Sequence, residues 1–98
     1  MQGRRRSLET HRVEMEPGDY IVKPGDGGEV SQLIICTPRT GAIGVLPNAG
    51  HAEVVDGVRE PEWMIIENAS GTVTVTPSID QGAGGYHGCL TDGIWSDG

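Results

Sequence analysis

Ninety-eight residues with 16 Gly, 6 Pro and no Phe make one turn-dense domain whose core lies near the lower limit of comfortable stability. The net charge of −7 repels nucleic acid and anionic lipid, so neither is expected as the main partner. No apolar run approaches the length of a membrane span and no apolar stretch follows the first arginines as in a secretory signal, so a cytoplasmic protein with buried, reduced Cys36 and Cys89 is expected.

The charge is unevenly spread. Residues 1–12 hold Arg4, Arg5, Arg6 and Arg12 against Glu9, a net +3, while the remainder holds Lys23, Arg39 and Arg59 against thirteen carboxylates, a net −10. Residues 1–16 therefore read as a basic N-terminal arm, extended or with one helical turn, and residues 17–98 as a small all-β domain. The arm has two readings. It is a solvated terminus, as chain ends usually are, or it docks through Arg4, Arg5 and Arg6 onto an acidic neighbour such as another copy.

In chain order, Pro17-Gly18 turns into a short strand over 19–23, and "PGDGG" turns again. Residues 29–36 begin by alternating and end in four apolar residues, the pattern of a central strand covered on both faces. A short strand is predicted over 42–46, then a loop carrying His51, a weak strand over 52–58 broken by residues 59–61, and a strong one over 63–66. In residues 72–76 Val73 and Val75 face one side and three threonines the other. Asp92-Gly93 is the clearest hairpin signal, a two-residue type I′ turn. With no helical period over ten residues, the prediction is a small antiparallel sandwich or barrel. Without Phe, Trp63, Trp95, Tyr20 and Tyr86 must supply much of its large-area burial.

Chemistry is most plausible at "PSIDQGAGGYHG". Pro77 cannot donate to a ladder, so the strand is predicted to end there with the Ser78 hydroxyl beside a loop. The amides of Gly82, Gly84 and Gly85 are unobstructed by side chains and could converge on an anion as an oxyanion hole. If the loop folds back, His87 meets Ser78 as its general base, oriented by Asp80, Asp92 or His51. The plainer reading is a turn serine, an ordinary glycine loop and a structural histidine. Neither metal nor nucleotide cofactor is expected, because two Cys and three His are scattered and no phosphate-binding glycine motif is present.

The segments "LIICTPRTG", "PEWMIIENASGTVTVTPSI" and "GGYHGCLTDGIW" occur in an order that resembles a small domain family of bacterial ubiquitination-like operons and phage genomes. The resemblance spans residues 17 to 96 and is specific from Pro61 onward. It implies a serine-type peptidase that trims a ubiquitin-like protein or its conjugates, with Ser78 as nucleophile and His87 as base. Members carry a Cys-rich patch, reduced here to Cys36, and a Cys shortly before the histidine, where Gly84 and Gly85 stand. The competing expectation is a phage virion assembly subunit, of capsid or tail decoration type, docking through its basic arm.

Overall fold

A computed structural model describes residues 1–97 of the chain. Alternation fixes the inner faces: Val73 and Val75 are buried, whereas Thr74 is half-buried and Thr76 exposed. Ten strands follow in order: β1 (Arg4–Arg6), β2 (Asp19–Pro24), β3 (Val30–Cys36), β4 (Ile43–Pro47), β5 (Val54–Val55), β6 (Val58–Arg59), β7 (Met64–Glu67), β8 (Val73–Asp80), β9 (His87–Thr91) and β10 (Ile94–Asp97). They form two four-stranded sheets, β1-β2-β3-β4 and β10-β9-β8-β7, and a two-stranded ribbon, β5-β6. The inner faces meet in one core, in which Tyr20, Val22, Leu33 and Ile35 of the first sheet pack with Val73, Val75, Leu90 and Trp95 of the second. The all-β reading therefore holds.

The two sheets are laced together along both sides. On one side the Trp63 N–H donates to Pro47 O at 3.0 Å and the Ala49 N–H to Trp63 O at 2.8 Å. On the other, residues 1–3 run along β10: the Trp95 N–H donates to Met1 O at 2.8 Å and the Gly3 N–H to Gly93 O at 2.7 Å. The chain then crosses to the first sheet, where β1 pairs with β2 in parallel. Backbone groups that would lie open at a sheet edge are thereby satisfied within the chain.

The arm is thus a working strand of the body, followed by a 3-10 turn at Arg12–Glu14. Its cause is Asp19, whose side chain is 3% exposed. The Arg4 Nε donates to Asp19 Oδ1 at 3.0 Å, Arg6 Nη1 to Oδ2 at 2.8 Å, and the Glu16 N–H to Oδ2 at 2.9 Å. Burial acts to raise the Asp19 pKa, but Arg4, the Glu16 amide and Arg6 outweigh it and hold the carboxyl below its ordinary value. Arg5 pairs with Glu67 of β7, so all three arginines are engaged inside the chain.

The strands β2 to β10 pair antiparallel, and β1 of the arm runs parallel beside β2. Three expectations need correction. The weak strand over 52–58 is a hairpin instead: Asp56 and Gly57 take φ of 52° and 79°, the positive values a type I′ turn demands. Pro77 does not end its strand. It sits in an irregularity between Val75 and Ile79, where the ladder asks no N–H of it, and β8 continues to Asp80. Cys89 is half-buried rather than buried, since it lies among the outer-face positions of β9.

Other readings stand. Asp92 and Gly93 have φ of 49° and 76°. Tyr20, Tyr86 and Trp95 are buried, with Trp63 packed against them half-buried. In β3, Leu33 and Ile35 enter the main core while Cys36, beside Ile34, lies in a second cluster under Met15, so both faces are covered. Burial pushes the Cys36 thiol up, and Asp19 adds to the shift, which keeps it unreactive.

Candidate functional site

The β8–β9 register decides where Ser78 and His87 lie. Ile79 pairs with Gly88 and is buried, so its neighbours Ser78 and Asp80 point outward. Asp80 lies opposite His87, and the imidazole Nδ1 is 3.6 Å from Asp80 Oδ2. Ser78, Asp80 and His87 therefore share one exposed face. The histidine faces the aspartate, however, and among the described residues no hydrogen bond joins the Ser78 hydroxyl to His87. A step of two along β8 leaves Ser78 on the diagonal from His87, roughly 7–8 Å between backbones.

Of the three candidate orienting groups, only Asp80 meets His87. His51 faces Glu29 at 3.7 Å, at the β2–β3 turn. Asp92 accepts from the Asn68 amide at 3.2 Å and from the Thr72 hydroxyl, tying together two hairpin tips.

The glycine loop is closed on itself. The Gly82 N–H donates to Asp80 Oδ1 at 2.8 Å, the Gly85 N–H to Gly82 O at 3.0 Å, and the Gln81 N–H to Tyr86 O at 2.9 Å. The Asp80 carboxylate thus takes one of the amides expected to form an oxyanion hole, and the loop takes another. What remains is an Asp–His pair with side chains 58% and 55% exposed, on an open sheet face. Such a pair can orient an imidazole and pass protons to solvent, but among the described residues nothing around it excludes water from a reacting carbonyl.

Two features lie elsewhere. One is the β5–β6 ribbon, where Val54, Val55 and Val58 are 61%, 54% and 70% exposed. The sequence signal for it was "VVDGV", a hairpin turn between valines. The other is a cavity of about 490 Å³ lined by Met1, Pro38, Arg39, Tyr86, Trp95, Ser96 and Asp97, which does not include Ser78 or His87. No helix among the described residues is long and apolar enough to cross a membrane.

No family model, curated protein or solved structure matches the chain.

Proposed function

We propose that this domain is a protein-docking module, an assembly subunit that binds a neighbouring subunit through its β5–β6 ribbon. The observation that carries the reading is the ribbon itself. Val55 pairs with Val58 and Val54 with Arg59, so valines stand on both faces of a two-stranded ribbon, and all three are exposed. An isolated two-stranded hairpin is marginal in water, and apolar side chains grouped at the surface mark interaction sites. Met64 and Ile66 of the next strand are exposed as well. The docking element differs from the one the charge pattern suggested, because the three arginines of the arm are spent inside the chain. A decoration subunit on a virion surface is one setting that such a small, laced β domain would suit.

Sedimentation velocity over a range of concentrations tests this. The wild-type chain is expected to associate, and Val55→Lys with Val58→Lys is expected to leave a monomer of unchanged Tm, since both side chains face solvent. A wild-type chain still monomeric at about 1 mM, with the double variant behaving identically, would exclude assembly of like copies.

A second reading is supported by one observation, the convergence of Ser78, Asp80 and His87 on a single face. On that reading the domain is a serine-type peptidase acting near the C-terminus of a ubiquitin-like protein, and the Asp80–His87 pair swings toward Ser78 when substrate binds. It requires that Ser78→Ala and His87→Ala each remove most of the hydrolysis of a ubiquitin-like fusion, while the fold is unchanged. Equal rates in wild type and Ser78→Ala would exclude it.

A further inference from the structure

Arg39 occupies a backbone position that its side chain does not favour. It lies in the turn between β3 and β4 with φ 69°. The other two non-glycine residues with positive φ, Asp56 and Asp92, each open an Asp-Gly hairpin, a residue type and place where that conformation is ordinary. A long, bulky side chain in the left-handed region is a true outlier, and glycine is the residue that such a turn prefers. The turn does not depend on the guanidinium. It is held by the Gly41 N–H donating to Thr37 O at 2.9 Å and by the Thr37 and Thr40 hydroxyls 2.6 Å apart.

Nor does the ion pair of Arg39 account for it. Nη2 lies 2.9 Å from Asp97 Oδ1, but the two side chains are 68% and 65% exposed, and such a pair adds little to stability. What Arg39 does possess is a place at the rim of the cavity of about 490 Å³. Its apolar floor is the small part of Pro38, Tyr86 and Trp95 that is left uncovered, the two rings being 2% exposed and meeting edge to face with centroids 5.5 Å apart. Strained residues cluster where a ligand is clamped, and this volume falls within the range of small-molecule sites, roughly 300–1,000 Å³.

We propose that this cavity binds a small organic acid with an apolar body, its carboxylate displacing Asp97 from Arg39. A guanidinium takes a carboxylate as a two-pronged, charge-assisted pair. Asp97 holds the fork in place when the cavity is empty, and the apolar body lies against Pro38, Tyr86 and Trp95. This site is separate from the β5–β6 ribbon, so it stands or falls independently of the docking role.

The test is a titration of the full chain, followed by 1H–15N spectra, with 3-phenylpropionate and with its uncharged amide at one ionic strength. The Trp95 indole N–H reports the cavity, and that of Trp63, which is not among the lining residues, serves as control. Saturable shifts at Trp95 are expected, about tenfold tighter for the acid than for the amide. Asp97→Asn, which removes the competing carboxylate, should tighten the acid severalfold. Arg39→Gly should erase the preference for the acid while Tm stays level or rises, because glycine relieves the left-handed backbone. The proposal is overturned if the acid and amide bind alike to the wild-type chain. It also fails if no saturation is seen by about 20 mM, or if Arg39→Gly keeps the preference for the acid.

Discussion

Replacing Asp19 by Ala is expected to lower stability by about 3 kcal/mol, the low end for breaking a buried ion pair, because both arginines keep some access to water. For a chain of this size that corresponds to a fall in Tm of roughly 15 °C. The carboxylate carries three interactions at once: Arg4, Arg6 and the Glu16 amide all converge on it. Without it, β1 loses its anchor on β2, and the lacing of residues 1–3 to β10 loosens with it. Limited trypsin digestion reads this second consequence directly. Bonds after Arg4, Arg5 and Arg6 should be cut far faster in the variant than in the wild type. Urea unfolding reads the first, and a loss below about 0.5 kcal/mol would show that the arm is held by something else.

The same group predicts an acid limb. The folded-state pKa of Asp19 lies below its ordinary value of 3.8, so its contribution is fully present above 3.8 and is lost as pH falls through the lower folded value. The stability of Asp19→Ala should accordingly fall less steeply than that of the wild type across this acid window.

What the sequence revealed and what it hid divide along one line, local against long-range. Asp92-Gly93 announced its turn because the positive φ is a property of two adjacent residues. Asp56-Gly57 carried the same chemistry but stood in a stretch whose alternation was too short to read as two strands. "LIIC" announced a strand covered on both faces, yet nothing in residues 1–16 revealed that Met15 would cover the outer one. A triple-arginine strand has no apolar period at all. It exists because a carboxylate fifteen residues away, in Asp19, is buried and needs cations. The candidate site failed on register. A separation of nine residues lets Ser78 and His87 meet, but the irregularity between Val75 and Ile79 aligns the histidine with Asp80 and leaves the serine two residues aside. The cavity beside Arg39 was hidden for the same reason, since its lining comes from the chain's start, the β3–β4 turn, the end of the β8–β9 loop and β10.

Trp95→Ala is expected to be the most damaging single change, at about 3–5 kcal/mol for the lost ring and the cavity left behind. The residue is 2% exposed in a chain with no Phe, so no other core side chain can swing in to replace its area. It also holds three parts of the fold together. Its ring meets Tyr86 edge to face at 88°, and its Nε1 donates to Gly18 O at 2.9 Å inside the protein. Its backbone N–H holds the start of the chain through Met1 O. A Cβ at Gly3 would be 2.7 Å from the Gly93 backbone oxygen and 3.1 Å from the indole nitrogen, which is why the crossing strand carries glycine at that point. Truncation also removes the indole's hydrogen bond to the Gly18 carbonyl, which keeps the Arg4 N–H at 3.2 Å, so the added loss is that of one hydrogen bond, about 0.5–1.5 kcal/mol. Against a total of roughly 5–15 kcal/mol for a domain of this kind, the variant should be at best partly folded at room temperature. Trp95→Phe separates the two causes, keeping most of the ring and losing only the indole N–H, and should cost clearly less. Trp63 then remains the only tryptophan, so its fluorescence follows urea unfolding in both variants. If Trp95→Ala proves no worse than Trp95→Phe, ring packing is not what Trp95 supplies, and the hydrogen bond to Gly18 would have to account for the whole effect.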